Sequence, residues 1–398
     1  MNLNTLPSLI IRSVMLMATI VAMFFAQSAI ARDAGQETSD PLEALTENFC
    51  PLHGGNGIVP RFSLSERMDR YGVPGVAIAI IKDGKVTHAR GFGVLQAGGS
   101  DLVDENTLFS IGSVSKVAAA VVVLKLQADD RLDVDRDVRD YLKSWQMPTS
   151  PENAPVTLRM LLSHTAGFNL HGFGDFAPGA ALPTVYDTLN GAEPATHEPL
   201  RFISKPGTRY RYSGGGYTLA QLVVTDITQK DFPAIARSVL FEPLSMGRST
   251  YANPLPASVG NIAKAHDRRG RPTALPRGYE AMPEMAASGL WTSAAELGQF
   301  VAMLIESYRG QDGYLPQSIA EDMMTRVNPG EHGLGPSVEG IGTSRWFHHG
   351  GANNSYKAWI EGHLATGDGL VVLTNGNRGH EIHREIRKAA AGVFGWKP

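Results

Sequence analysis

From Val117 to Leu126 the chain is apolar at nearly every position, broken only by Lys125. A helix of that kind has no face for water and must be enclosed by other elements. The chain therefore needs at least two packed layers around this segment. With 398 residues, 43% of them hydrophobic, it can build such a core, as two or three compact units or one large domain. Global disorder is excluded by the same figure.

The flanks of this helix set the fold class. Gly75 to Ile81 is an apolar run, Lys82-Asp83-Gly84-Lys85 follows, and Val86 to Val94 continues as a second strand-like run. Asp-Gly between two such runs predicts a hairpin. Ser63 to Tyr71 reads as a short helix capped by Ser63. Residues from about 130 to 285 mix short helical patterns with Pro/Gly loops. Ser293-Ala294-Ala295-Glu296 reads as a capping box opening a helix to about Ile305. Strands are predicted at Trp346 to His348, Tyr356 to Glu361 and Gly369 to Thr374, and a last helix over His380 to Phe394. Strands, a long helical insert, more strands and a helix, with hairpin pairing, predict an α+β fold: an antiparallel sheet flanked by helices, with a mainly helical subdomain over about 117–284.

Composition narrows the function. Lys and Arg number 36 against 39 Asp and Glu, a formal charge of −3. That balance argues against a nucleic-acid partner, which needs a clustered basic face. One cysteine, Cys50, excludes an internal disulfide framework and multi-Cys metal sites, and reads as a structural thiol. Arg12, an uncharged stretch from Ser13 to Ala31 and the small-x-small Ala29-Ile30-Ala31 read as an export signal over 1–31. An extension over 32–62 and a catalytic domain over 63–398 would follow. The expected location is periplasmic or secreted, without stable membrane association once the signal is cut. The rival is an uncleaved N-terminal anchor, since the stretch is just long enough to span a bilayer.

Three motifs could carry chemistry. In Phe109-Ser110-Ile111-Gly112-Ser113-Val114-Ser115-Lys116, Ser113 and Lys116 are three apart before the apolar helix. On a helix i and i+3 share a face, so both side chains can converge. A serine hydroxyl needs a base, and a lysine can be one if burial and the helix terminus disfavour its ammonium. The Ser113 N–H could serve an oxyanion. Alone the pattern is weak, and the bland alternative is a serine cap followed by a surface lysine. Second, Tyr212 lies in Tyr212-Ser213-Gly214-Gly215-Gly216 before a helix from Thr218 to Ile227. Its hydroxyl could shuttle a proton if a nearby cation lowers its pKa, or the ring could simply pack in the core. Third, His348-His349-Gly350-Gly351 ends a strand, where glycines allow close approach to a ligand and an N–H could be a second oxyanion donor. Adjacent histidines on a strand point to opposite faces, and no zinc-type spacing exists, so neither metal nor cofactor is expected. His164 reads as structural, because no G-x-S-x-G elbow accompanies it. His380 and His383 read as solvated.

In this order and spacing the motifs resemble the serine β-lactamase and penicillin-binding-protein superfamily, closest to its class C, carboxylesterase and D-aminopeptidase branch. The likeness runs from about Gly75 to Gly376 and includes LLSHTAG (161–167), PLSMGRSTY (243–251), ASGLWTS (287–293) and GGANNSYKAWI (350–360). It implies Ser113 as acylated nucleophile, Lys116 as its base, Tyr212 as second proton-transfer group and His348 at the head of the third motif. Ser113 and Gly351 would supply the oxyanion hole, with Gly350 and Gly214 lining the substrate. The implied substrate is a small molecule or peptide with an ester or amide carbonyl. Two departures stand out. Gly214 replaces the usual Asn of Tyr-x-Asn, and His348 replaces a common Lys. Both weaken the case for penicillin turnover and favour esters or peptides. A module that acylates slowly without turnover, or a transferase, would use the same residues.

Overall fold

The computed structural model describes residues 40–47, 49, 61–311 and 313–396. The export segment over 1–31, Cys50 and most of 32–62 lie outside these residues. The chain divides into residues 1–44 and 45–398. Of the first, only Asp40 and the start of a short helix, Pro41–Thr46, are described. All that follows concerns the second.

Its strands, in chain order, are β1 (Gly75–Lys82), β2 (Lys85–Gly93), β3 (Phe109–Ser110), β4 (Trp291–Thr292), β5 (Ser337–Glu339), β6 (Trp346–Ala352), β7 (Lys357–His363) and β8 (Gly369–Thr374). Six form an antiparallel sheet in the order β2-β1-β8-β7-β6-β5, and β3 pairs with β4. The predicted hairpin is present. Asp83 and Gly84 both have positive φ, 45° and 71°, which matches the right-handed twist of the flanking strands. β1 pairs on its other side with β8, from the far end of the chain, so the sheet closes only when both ends are in place.

The helices that build the site are α1 (Leu64–Tyr71), α2 (Ser115–Ala128), α3 (Gly214–Thr228), α4 (Met285–Ser288), α5 (Ala294–Arg309) and α6 (Gly379–Phe394). α1 begins as expected, with Ser63 and Glu66 in a reciprocal capping box. The box expected at Ser293 is only half formed. Ser293 accepts the Glu296 N–H, but the Glu296 carboxylate turns to the Arg248 N–H (2.8 Å) and the Ser249 hydroxyl (2.6 Å). Tertiary donors outcompete the local one there.

α2 is enclosed as its composition requires, with Val117, Val121, Val122 and Leu124 fully buried. Each such side chain contributes roughly 1.5–3 kcal/mol. α5 lies on one face of the sheet, where Ile305 meets Phe347 beside Gly362. α6 lies on the other, where His383 stacks on Trp359 at 5.6 Å and the Arg387 guanidinium sits 3.8 Å over the same ring. His383 is therefore buried rather than solvated. α1 is tied to α6 by a buried ion pair: Arg67 Nε donates to Glu385 at 2.6 Å and the Tyr71 hydroxyl donates at 2.7 Å.

Candidate active site

Ser113 sits in a single 3-10 turn, Gly112–Val114, that runs directly into α2. The first N–H groups of a helical turn have no carbonyl behind them, so the Ser113 amide faces outward as a donor. Gly112 adopts φ +50°, and strand β6 explains why glycine is required there. A Cβ on Gly112 would lie 2.6 Å from the Ala352 amide nitrogen. A Cβ on Gly351 would lie 1.9 Å from the Ile111 carbonyl oxygen. Two glycines thus let the strand backbone press against the nucleophile turn, with the Ala352 amide beside it.

One helical turn on, Lys116 Nζ lies 3.2 Å from Ser113 Oγ and donates to the Ala287 carbonyl at 2.7 Å. Ala287 belongs to α4, so a lysine from one end of the helical insert is held by a carbonyl from the other. The side chain is only 2% exposed. Burial alone brings its ammonium from 10.5 down to about 7. Its remaining surroundings are aromatic, with Nζ 4.9 Å from the Tyr212 ring and 5.6 Å from that of Tyr217. Lys116 is not a surface residue, and the bland alternative for this motif is gone.

Tyr212 precedes α3, and its phenol is close enough to Ser113 to interact with it electrostatically. Burial, the larger effect, pushes the phenol above its ordinary 10.0, and the interaction with Ser113 opposes it only in part. The condition that a nearby cation lower this pKa is not met, because burial raises it. The residue stands as a neutral phenol that can both donate and accept. Ser113, Lys116 and Tyr212 are thus brought together.

The third motif enters differently from the expectation. Along β6, Phe347, His349 and Gly351 face inward while Trp346, His348 and Gly350 face the other way. His348 stacks on Trp359 at 5.0 Å and on Trp346 at 4.7 Å, on the α6 side of the sheet. It does not face Ser113, and its place is taken by His349. Gly350 shares the outer face, where a Cβ would touch Trp359 at 3.4 Å. Gly351 faces the nucleophile turn, but the amide beside Gly112 is that of Ala352, so the donor role expected of the Gly351 N–H falls one residue later in the strand. His349 Nδ1 bonds the Gly350 carbonyl at 2.7 Å, while its buried Nε2 has no partner. Gly214 is corrected as well. Its N–H donates to the His171 carbonyl at 3.0 Å, and its Cα packs on Phe173, so neither faces a substrate.

Two further histidines, missed as site residues, complete the inner wall. His164, at φ +62°, accepts the Ser213 N–H on Nδ1 at 3.1 Å and stacks on Tyr212 with ring centroids 4.1 Å apart. His332 meets His164 edge-on at 4.9 Å and bonds the Tyr210 hydroxyl at 3.1 Å. Burial holds His164 and His349 well below their ordinary range and brings His332 to about 3. All three are neutral where the enzyme would work, so no second cation competes with Lys116. Only the LLSHTAG segment hinted at His164, and nothing local marks His332. Among the described residues no three His, Cys, Asp or Glu groups are disposed to hold a metal ion.

An antiparallel sheet between helices, with a buried serine–lysine–tyrosine cluster where the helical insert meets it, defines the serine β-lactamase and penicillin-binding-protein class of fold. The chain belongs to the Beta-lactamase family, whose profile matches residues 63–393. Among solved structures it is similar to the octameric penicillin-binding protein homologue of Pyrococcus abyssi, with TM-score 0.70 and 25% identity over 84% of this chain and 76% of that one. The D-alanine carboxypeptidase AmpC of Burkholderia cenocepacia matches with TM-score 0.64 and 23% identity, over 83% and 96%. Among curated relatives, protein flp of Staphylococcus aureus (strain MW2) is 23% identical over 77% of this chain, which spans 60% of that relative's length. Penicillin-binding protein 4 of Amycolatopsis lactamdurans is 30% identical over 46% of this chain and 47% of its own.

Proposed function

We propose that this protein is an exported serine hydrolase that cleaves an ester or amide through an acyl-enzyme on Ser113. The observation that carries the reading is the 3.2 Å approach of Lys116 Nζ to Ser113 Oγ in a dry site where the amine can be neutral near pH 7. In this reading neutral Lys116 accepts the Ser113 proton as Oγ attacks the carbonyl carbon. The oxyanion is met by the Ser113 and Ala352 N–H groups. As the tetrahedral intermediate collapses, Tyr212 gives its proton to the departing alkoxide or amine, and Lys116 restores it. A water then enters on the same route: it loses its proton to the Tyr212–Lys116 pair, attacks the acyl carbon, and Ser113 regains its proton. His349 and His164 wall the site and hold the phenol, and no metal or cofactor enters any step.

Support for export rests on the N-terminal sequence alone. Cleavage of esters or small amides is favoured over penicillins because Gly214 supplies no amide side chain and no fixed cation heads the third motif. Gly214 also favours one rival, a module that acylates and then stalls. Purified protein should be labelled on Ser113 by a fluorophosphonate and should turn over p-nitrophenyl esters in steady state. Labelling without turnover establishes the stalled module, and absence of both rejects Ser113 as nucleophile.

A further inference from the structure

A cavity lies on the α6 face of the sheet, the face turned away from Ser113. Trp346 of β6 and His363 of β7 are directly paired across the two strands. Their rings stack at 5.7 Å with planes 13° apart. Trp396, just beyond α6, meets His363 at 4.9 Å and is held there because its indole N–H donates to Asp368 at 3.0 Å. α6 supplies the opposite wall. Arg384, Arg387 and Ala391 recur at i, i+3 and i+7, so one side of the helix faces the three rings. The enclosed space is about 450 Å³, within the range of small-molecule sites. It exists because the last turn of α6 carries Ala391 and then Gly392, where a Cβ would meet nothing within 4 Å.

The charges of this lining do not cancel. Three bases, Arg384, Arg387 and Lys388, stand against one acid, Glu361. Glu361 is buried and already served: it accepts from Arg387 Nε at 2.9 Å and from the Trp359 indole N–H at 2.8 Å. Arg387 is fixed by that bond and by its place 3.8 Å over the Trp359 ring. Arg384 is exposed, and its side chain forms neither an ion pair nor a hydrogen bond among the described residues. A guanidinium is thus left over beside three aromatic rings. His363 adds a buried Nε2 with no hydrogen-bond partner among the described residues. Such an atom is costly unless a ligand or water meets it.

We infer that this cavity binds a planar aromatic carboxylate, its ring against Trp346, His363 and Trp396 and its carboxylate at Arg384. Aromatic faces favour a flat, polarisable partner. A guanidinium fork matches the two oxygens of a carboxylate. An inorganic anion would leave the rings unused, and a neutral arene would leave Arg384 unused. The site is separate from the catalytic cluster: along β6 the pleat turns Trp346 toward α6 and Gly351 toward the Ser113 turn.

The probe is 2-naphthoate, titrated calorimetrically into the full chain and compared with 2-naphthamide, the same ring system without the charge. Naphthoate should bind at least about tenfold more tightly than the amide, in line with a charge-assisted contact. Arg384→Gln, at an exposed position, should bring the acid down to the affinity of the amide. Ala391→Phe, which fills the space, should abolish binding of both. In protein carrying 5-fluorotryptophan, the fluorine resonances of Trp346 and Trp396, assigned through Trp346→Phe and Trp396→Phe, should shift with naphthoate while those of Trp145 and Trp291 stay in place. Ser113→Ala should bind naphthoate as the wild type does, so the result is independent of the catalytic reading. No binding, equal affinity for acid and amide, an advantage of the acid that survives Arg384→Gln, or binding lost in Ser113→Ala overturns the site.

Discussion

His164 holds Tyr212 from two directions. Its ring stacks on the phenol at 4.1 Å, and its Nδ1 accepts the N–H of Ser213, the next residue in the chain. The histidine backbone is left-handed, at φ +62°, a conformation asparagine also tolerates. His164→Asn therefore keeps the turn and removes the ring. We expect kcat for p-nitrophenyl acetate to fall about 10- to 100-fold with KM changed less than about threefold, because a loosened phenol costs orientation rather than binding. A KM effect alone would reject this positioning role.

The buried amine sets the pH profile. With Lys116 at about 7, the active, neutral form grows as pH rises, so kcat/KM should climb through an acid limb centred near 7. Lys116→Ala should lower kcat/KM by about 10³ or more and remove the limb. A limb near 4 to 5 in the wild type would assign the base to a carboxylate instead.

The same burial makes Lys116 a structural liability. A fall from 10.5 to about 7 corresponds to roughly 5 kcal/mol against the charged folded form. Between those values the unfolded chain binds more protons, so wild-type stability should rise with pH across that window and be lowest, on this account, below 7. Lys116→Met should be inactive yet more stable than wild type in urea at pH 7, with the gap narrowing steadily as pH rises toward 10.5. Equal pH dependence in the two proteins would contradict the buried, depressed amine.

The two neighbouring glycines of β6 should differ sharply. Gly351→Ala drives a Cβ to 1.9 Å from the Ile111 carbonyl, a backbone atom that cannot yield without moving Ser113. Gly350→Ala meets only the Trp359 ring at 3.4 Å. Ester turnover should drop about 10²-fold or more in the first and less than about threefold in the second. Comparable losses would mean that the strand does not press on the nucleophile turn as described.

The adjacent histidines give the complementary test. His349 faces the Tyr212 wall and His348 lies against Trp346 and Trp359. His349→Ala should cost at least about tenfold in kcat/KM. His348→Ala should leave it within about threefold and lower thermal stability through lost stacking. The reverse ranking would place β6 in the opposite register.

Much of the site was legible because its chemistry is local. Ser113 and Lys116 are one turn apart, and any helix starting near Ser113 must bring them to one face. The apolar run after Lys116 announces that the helix is buried, and burial is what moves the amine toward neutrality. The Asp83-Gly84 turn fixes the first hairpin in the same local way. The pleat of β6, by contrast, is a parity question. The rule that neighbouring histidines face opposite ways was readable, but which of them faces inward depends on the register with β7 and on what packs against each face.

Short-range rules suffice for the antiparallel α+β plan and the serine–lysine pair, because hairpin turns and helical spacing act over a few residues. Close packing decided that Ala287 grips the lysine across 171 positions, that His349 rather than His348 walls the site, that Gly214 spends its N–H on His171, and that Asp175 and Glu280 take the N–H of Asn354 and the hydroxyl of Ser355. Those contacts join segments far apart in the chain, and their partners are chosen by close packing and by the need to satisfy every buried polar group, conditions that exist only once the core has closed.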